Sequence, residues 1–328
     1  MKQIFFISII LLLITSCSKD DIICDNSDCL TVALCELDEC FEVDNGSWTQ
    51  TYTSADTLHY YLQFKPNSSD ELIIIRAVRR ITPQGIPYFK QQLIKYNLQT
   101  KSVIKLLEAN NIIKATWHTD GQIYFLTETS GVLEKINDDG TNGTIVSNEP
   151  INGFILETER VIIFTTNDNE IKIVDYSGNE VTNSDEEIQL GLISPNKLKK
   201  VQTRTIDDVD NTNNYFNLSI YDLSQNMWED IFLIKESFFN GLTWSSDGAY
   251  VYWTDRSGLN RIHIETRKAE MVRRNCGNDR FYQITFDNQG NLYAIREIGK
   301  VLNGDEYFET RPVRFDFNNC VLEDITPQ

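Results

Sequence analysis

Residues 241–255 read GLTWSSDGAYVYWTD, and this stretch decides the fold. Its two apolar segments, 242–244 and 249–254, are rich in aromatic and β-branched residues and flank an Asp-Gly pair. Such an arrangement predicts a β-hairpin. Because a lone hairpin cannot bury its apolar face, the stretch must belong to a larger assembly of strands.

The hairpin pattern recurs along the chain. Its copies begin at Leu62, Ala115, Phe154, Leu192, Leu242 and Ile284. A second signature, an apolar residue followed by Asn, Asp or Glu, follows each hairpin and ends at Asn97, Asn137, Asp175, Asp222, Glu265 and Asp316. A polar turn and a further short strand come after it, so each repeat carries about four strands.

Four-stranded repeats every 40 to 50 residues are typical of a β-propeller. The sequence therefore predicts an all-β protein, with a six-bladed β-propeller of four-stranded antiparallel blades over residues 45–328. Neighbouring blades must cover each other's apolar faces, which closes the ring. Two segments are candidates for the outermost strand of the last blade: residues 47–53, SWTQTYT, and residues 320–325.

The turn and strand of the opening stretch carry a family resemblance. Residues 244–248, WSSDG, resemble the Trp-Ser-Pro-Asp-Gly turn of TolB-like propellers, with Ser246 in the place of the usual proline. Residues 252–255, YWTD, match the tetrapeptide of six-bladed propellers of the low-density-lipoprotein-receptor type. The resemblance extends over about residues 56–328, although both motifs are near complete in one blade alone. It implies the fold and brings no chemistry with it.

The N-terminus predicts export. Residues 4–14, IFFISIILLLI, are too few to span a bilayer and are typical of a signal peptide core. The order Ile14-Thr15-Ser16-Cys17 resembles the lipobox of bacterial lipoproteins, which implies a signal peptide over 1–16 and acyl chains on Cys17. Residues 17–44 then form an acidic, Cys-rich tether. The charged residues behind Cys17 resemble an export tag, so we expect a lipid-anchored protein in the outer membrane of a Gram-negative bacterium. It faces either the cell surface or the periplasm.

Six cysteines remain once Cys17 is assigned to the lipid, and an even number in an exported chain predicts disulfides. A zinc site is the alternative for the clustered four, although these lack two close Cys-x-x-Cys pairs. The sequence does not decide the connectivity. The residues are Cys24, Cys29, Cys35, Cys40, Cys276 and Cys320.

Charge and motifs limit the function classes. The net charge of −18 argues against nucleic acid as a partner. The histidines His59, His118 and His263 are isolated, and no nucleophile elbow, HExxH motif or phosphate loop is present. We expect no cofactor and no catalytic residue. Calcium at the acidic loop 207–211 is the alternative, although that loop lacks the glycine and the distal Glu of an EF-hand.

Aromatic residues mark the candidate binding surface. Three long connections, 79–87, 205–214 and 297–306, each lead into a Tyr-Phe pair at 88–89, 215–216 and 307–308. A second set precedes the innermost strands, where a propeller channel opens, and either packs in the core or forms a binding rim. This predicted rim consists of His59, Tyr60, Tyr61, Phe238, Phe239, Phe281 and Tyr282.

Two functions follow as hypotheses. The first is a lipid-anchored envelope or cell-surface protein that binds a protein or glycan through loops at one mouth of the propeller. The alternative is a propeller enzyme, such as a hydrolase, lyase or lactonase, that acts on carbohydrate or a small ester with carboxylates from several blades. A structural part of an envelope complex is a third reading. Fold alone does not separate them.

Overall fold

The structure is a computed structural model of the chain. It describes residues 57–157, 160–166, 170–181, 191–207, 214–234, 239–275, 280–302, 305–317 and 321–327. All seven cysteines, the predicted signal peptide and tether, residues 47–53, Phe238 and most of the acidic loop 207–211 lie outside these ranges. No helix in the described part of the chain is long and apolar enough to cross a membrane.

Twenty-three strands form six antiparallel sheets in chain order, which confirms the predicted six-bladed propeller. Blade 1 contains β1 (Thr57–Phe64), β2 (Glu71–Ile81), β3 (Pro87–Asn97) and β4 (Val103–Ala109). Blade 2 contains β5 (Ile112–Trp117), β6 (Gln122–Thr127), β7 (Leu133–Asn137) and β8 (Thr144–Ser147). Blade 3 contains β9 (Ile151–Leu156), β10 (Val161–Thr165) and β11 (Ile171–Val174).

The second half repeats the arrangement. Blade 4 contains β12 (Leu192–Ile193), β13 (Lys199–Asp207), β14 (Asn214–Asp222) and β15 (Met227–Ile234). Blade 5 contains β16 (Phe239–Trp244), β17 (Tyr250–Asp255), β18 (Gly258–His263) and β19 (Ala269–Arg274). Blade 6 contains β20 (Arg280–Phe286), β21 (Leu292–Leu302), β22 (Asp305–Asp316) and β23 (Val321–Asp324). In blade 3 a bridge from Val174 to Glu180 lies where the other blades have a fourth strand.

The first strand of each blade is the innermost one, and its direction defines two faces of the ring. We call the face where these inner strands begin the upper face, and the face where they turn into the second strands the lower face. Thr57 pairs with Val78 and Arg280 pairs with Glu297, so β2–β3 and β21–β22 extend past the inner strands on the upper face. The long connections predicted from the sequence therefore project from that face.

The core lies between blades, because each sheet has two apolar faces that its neighbours cover. One buried cluster joins blades 4 and 5 through Val201, Phe232 and Trp253. Others join blades 1 and 2, 2 and 3, and 5 and 6. Between blades 3 and 4, a nearly buried ion pair joins Glu157 Oε1 to Lys200 Nζ at 2.7 Å.

The ring closes by packing blade 1 against blade 6. Leu62 and Ile74 of blade 1 share a buried cluster with Tyr293 and Ile295 of blade 6. On the lower face, Asn288 Nδ2 donates a hydrogen bond of 2.9 Å to the carbonyl oxygen of Asn67. The outermost strand of blade 6 is β23, which pairs with β22, so the C-terminal candidate of the two predicted segments completes this blade.

The YWTD motif stabilises a turn. Asp255 is buried, and its Oδ2 accepts hydrogen bonds from Trp253 Nε1 at 2.9 Å and from Asn260 Nδ2 at 2.8 Å. Its Oδ1 accepts from the backbone N–H groups of Ser257 and Gly258. The carboxylate therefore holds the tight turn between β17 and β18, in agreement with a structural role for the motif.

Candidate functional site

The inner strands share an irregularity near the upper face. In five blades a β-bulge interrupts the pairing of the inner strand, between positions 59 and 61, 112 and 114, 151 and 153, 239 and 241, and 282 and 285. The bulged positions are Tyr60, Ile113, Asn152, Asn240 and Gln283, which we call the bulge ring. A bulge leaves one residue without a partner in the ladder and changes the direction of its side chain.

The bulge ring combines apolar side chains with neutral amides. Tyr60 is 40 % exposed and Ile113 is 48 % exposed. Asn152 and Gln283 are exposed and Asn240 is half-buried. Gln283 adopts a positive φ of 52°, which fits a residue forced out of the regular strand. None of the five side chains carries a charge at neutral pH.

Two phenols and a carboxylate meet beside the bulge ring at the junction of blades 1 and 6. Tyr282 Oη donates a hydrogen bond of 3.0 Å to Glu297 Oε2. Burial and the charge of Glu297 raise the pKa of Tyr282, and the same two causes raise the pKa of Tyr60. Both phenols therefore stay protonated at neutral pH, and both rings offer stacking surfaces. The hydrogen of Tyr282 is engaged by Glu297, so Tyr60 is the phenol that can donate to a ligand.

His59 lies behind this corner and is 2 % exposed. Its backbone N–H donates to Thr310 Oγ1, and its Nδ1 lies 3.1 Å from the carbonyl oxygen of Thr310. Burial lowers the pKa of His59 to about 4, so the ring is neutral at pH 7 and Nδ1 carries the proton. Nε2 is buried and finds no hydrogen-bond partner in the described part of the chain.

The remaining residues of the predicted rim do not all reach the surface. Phe281 is 1 % exposed and packs in the cluster between blades 5 and 6. Tyr61 is half-buried against the cluster between blades 1 and 2, and burial raises its pKa to about 12. Phe239 begins β16, and its side chain lies outside the described part of the structure. Among the described rim residues, Tyr60 and Tyr282 therefore offer the accessible surface at the mouth.

The aromatic pairs behind the long connections also differ in placement. Tyr88 and Phe89 are exposed on the β2–β3 hairpin. Tyr215 and Phe216 are half-buried, and Phe216 packs against the cluster between blades 4 and 5. The side chains of Tyr307 and Phe308 lie outside the described part of the structure. The rim interpretation thus fits the first pair better than the second.

The sequence reasoning missed Ile113, Asn152, Asn240 and Gln283. A signal exists, because each bulged residue lies one or two positions ahead of the first residue of the repeated hairpin signature. Aligning the repeats on that signature would have placed the four residues with Tyr60. Their chemical types differ, so no shared residue marks the position.

The lower face contains a polar cleft of about 200 Å³ between blades 1 and 6. Three of its charged groups already have partners within the protein. Asp287 accepts hydrogen bonds from the backbone and side chain of Asn291, and Arg314 pairs with Glu323 at 2.5 Å. We therefore interpret the cleft as part of the ring closure. Among the described residues, no group of three or more His, Cys, Asp and Glu side chains is arranged to hold a metal ion.

Comparisons with known proteins agree on the fold. No protein-family model and no curated protein matches the sequence. A structure described as TolB from Agrobacterium tumefaciens is similar with a TM-score of 0.51 and 12 % identity, and the match covers 71 % of this chain and 87 % of that one. The AtxE2 isopeptidase with bound Astexin3-dC4 is similar with a TM-score of 0.50 and 10 % identity over 81 % of this chain and 51 % of that one.

A structure of the nidogen–laminin complex gives a TM-score of 0.49 and 11 % identity, over 72 % of this chain and 90 % of that one. At these identities the likeness shows the fold alone. The chain is thus a six-bladed β-propeller with TolB among its structural neighbours.

Proposed function

We propose that this six-bladed propeller is a binding protein of the bacterial envelope that recognises a protein or glycan at the upper mouth of its channel. The bulge ring is the observation that carries the proposal. Five inner strands deviate from regular pairing at the same level and place accessible aromatic, aliphatic and amide side chains there. Aromatic faces and amides are the groups that contact sugars and protein partners.

The corner of Tyr60, Tyr282 and Glu297 supplies directional contacts to this surface. A protonated phenol donates a hydrogen bond, and a carboxylate accepts from ligand hydroxyl or amide groups. The apolar faces of both rings exclude water around those bonds. Phenols, one carboxylate and apolar ring faces are groups that hold a ligand in place. They therefore support a binding role better than catalysis.

The enzyme alternative requires carboxylates from several blades that converge on one point. Glu297 is the carboxylate of the corner described here, and its neighbours are phenols and amides. No observation among the described residues adds a second convergent acid. The described residues therefore give no support to the hypothesis of a hydrolase, lyase or lactonase.

The lipid anchor and the outer-membrane location remain part of the proposal and rest on residues 1–21 of the sequence. If Cys17 is acylated, the Cys17→Ser protein is expected in the soluble envelope fraction and the unsubstituted protein in the membrane fraction. Retention of the Cys17→Ser protein in membranes after a carbonate wash would contradict the anchor. This test is independent of what the propeller binds.

The binding role is tested by photo-crosslinking in intact cells. A photoreactive phenylalanine replaces Tyr60 at the mouth, and the control replaces the exposed Ile145 of the outer strand β8. We expect adducts with a protein or a glycan from position 60 that are absent from position 145. Equal labelling at both positions, or none at position 60, would contradict recognition at the mouth.

A further inference from the structure

The β2–β3 hairpin of blade 1 exposes an apolar tip. Ile81 is 68 % exposed and Ile86 is 61 % exposed, and Tyr88 and Phe89 next to them are exposed as well. Arg79 pairs with Phe89 and Arg80 pairs with Tyr88. Because side chains alternate along a strand, Arg79, Ile81 and Phe89 lie on one face of the hairpin, and Arg80, Tyr88 and Lys90 lie on the other. Contiguous exposed apolar residues of this kind mark an interaction surface.

The same hairpin has an unpaired edge. β4 pairs with β3 from Gln91 to Tyr96, and in the described part of the chain no strand covers the outer edge of residues 87–90. A strand edge with free backbone groups accepts an extended segment, while neighbouring side chains select its sequence. The surface therefore suits an extended chain that carries apolar side chains.

The hairpin is basic in an acidic protein. Residues 71–97, which form the hairpin, contain five Lys and Arg and a single acidic residue, Glu71, although acidic residues outnumber basic ones 48 to 30 in the whole chain. Arg80 pairs with Glu108 at 3.3 Å, whereas Arg76 Nε donates to the neutral amide of Gln92 and Lys90 Nζ to that of Asn110. Burial and the charge of Arg80 lower the pKa of Arg76. The excess of basic over acidic side chains on the hairpin favours an acidic occupant over a basic one.

The chain itself supplies a segment of the required chemistry. Residues 17–56 contain ten acidic residues and a single lysine. Within them, residues 36–44 read ELDECFEVD, in which five acidic residues alternate with Leu37, Phe41 and Val43. The segment thus carries a charge opposite to that of the hairpin. It also carries apolar side chains that can cover the exposed apolar residues of the hairpin.

The connection places this segment close to the hairpin. The described chain begins at Thr57, which pairs with Val78 at the base of the projecting part of the hairpin. Twelve residues separate Asp44 from Thr57 and span up to about 40 Å when extended, whereas Val78 to Ile81 covers about 10 Å. A tether of this length gives an effective concentration on the order of millimolar, so that even a weak contact is populated.

We propose that residues 36–44 dock along the free edge of β3 at residues 87–90, where their carboxylates meet Arg80 and Lys90 on one face of the hairpin and their apolar side chains cover Ile81 and Phe89 on the other. This contact is independent of the ligand proposed for the mouth. It also does not depend on acylation of Cys17. It assigns the tether a place on the upper face of the propeller.

Zero-length cross-linking of the full mature chain tests the contact. Carbodiimide joins a carboxylate to an amine at contact distance, and Lys90 is the lysine of the hairpin tip. We expect a cross-link within one chain from Lys90 to Glu39, Glu42 or Asp44, and its loss in Lys90→Arg, which keeps the charge but cannot form the amide. Absence of this cross-link in the unsubstituted chain would overturn the proposal.

Hydrogen exchange adds a measurement that leaves the propeller sequence unchanged. Replacement of the five acids of 36–44 by their amides is expected to raise exchange of residues 79–90 at least about tenfold. The matched control, neutralisation of Asp20, Asp21, Asp25 and Asp28, is expected to raise it less than twofold. The proposal fails if exchange is the same in both variants and the unsubstituted chain.

Two further measurements identify other occupants. Protection of 79–90 that rises with protein concentration would assign the surface to a second copy of the chain. Protection that requires vesicles of phosphatidylglycerol, and is absent with phosphatidylcholine, would assign it to an anionic membrane. Either outcome overturns docking of residues 36–44.

Discussion

His59 and Thr310 are 251 positions apart and share two hydrogen bonds across the closure of the ring. The contact joins the inner strand of the first blade to the third strand of the last one. The bond to the carbonyl oxygen requires a protonated Nδ1, and Nε2 is buried without a partner among the described residues, so the site holds the neutral imidazole. Protonation would place a second N–H and a charge in the same buried space.

This contact predicts a pH-dependent stability. The pKa of His59 is about 4 in the folded protein and about 6.5 when unfolded, so the unfolded chain binds the additional proton between these values. The contribution of neutral His59 to the free energy of unfolding is complete above pH 6.5 and is lost as the pH falls toward 4. From pH 7 to pH 5 the loss is about 2 kcal/mol.

Urea unfolding at several pH values measures the effect. Between pH 7 and pH 5, the unfolding free energy of the His59→Gln protein is expected to fall by about 2 kcal/mol less than that of the unsubstituted protein. His263→Gln is the control, because that ring is partly exposed to water. The same pH dependence in the unsubstituted and the His59→Gln proteins would show that His59 is not the titrating group.

Asp255 is predicted to be the residue of the YWTD motif on which stability depends most. Asp255→Ala leaves the indole N–H of Trp253, the amide of Asn260 and two backbone N–H groups without their acceptor, and we expect a loss of about 3 kcal/mol or more. Asp255→Asn keeps one acceptor oxygen and is expected to cost less. Thermal or denaturant unfolding measures both.

Asp139 provides the control for this prediction. Its carboxylate is exposed and accepts from Thr141 alone among the described contacts. Asp139→Ala is expected to lower the unfolding free energy far less than Asp255→Ala does. If Asp255→Ala is equally mild, the motif does not hold its turn by these hydrogen bonds.

The repeats made the fold predictable, whereas the mouth could be predicted only in part. Apolar strands and Asp-Gly turns recur because every blade must bury two faces, and this left a regular signal in the sequence. A bulge reverses the alternation of inward and outward side chains at one residue. His59 is buried beside the bulged and exposed Tyr60, whereas Phe281 is buried beside the half-buried Tyr282 through the ordinary alternation of a strand, although all four looked equivalent in the sequence.

The surface of the β2–β3 hairpin shows a second limit. The Tyr88-Phe89 pair was recognisable, but Ile81 and Ile86 lay within the predicted connection 79–87, and no pattern marked them as exposed apolar residues. Their exposure follows from how far the hairpin extends beyond β1, which depends on the register between strands. That register is set by the packing of whole blades, so the local sequence does not reveal it.

The ion pair between Glu157 and Lys200 is predicted to contribute more than a surface pair. Their side chains are 15 % and 7 % exposed, and the hydrogen bonds from Lys200 and Arg160 outweigh burial, so the pKa of Glu157 is lowered. A double-mutant cycle with Glu157→Gln and Lys200→Met is expected to give a coupling energy of at least about 1 kcal/mol.

Arg314 and Glu323 are the matched control, because both are largely exposed. Their coupling energy is expected to be at most about 0.5 kcal/mol and to fall further in 0.5 M salt. Equal coupling in the two pairs would mean that burial between blades 3 and 4 does not strengthen the contact. The measurement thus tests whether this interface, which has a charged pair at its centre, is stabilised electrostatically.

The bulge ring predicts a circular pattern of ligand contacts. If one ligand occupies the mouth, photoreactive residues at positions 113, 152, 240 and 283 should all give the same adduct as position 60, because the five positions lie on neighbouring inner strands at one level. Positions 99 and 101, which line the cleft on the lower face, should not. Adducts confined to the lower face would move the site to the cleft between blades 1 and 6. A ligand contacting only position 60 and blade 6 would reduce the site to the corner of Tyr60, Tyr282 and Glu297, and the bulges of the other blades would then serve packing rather than recognition.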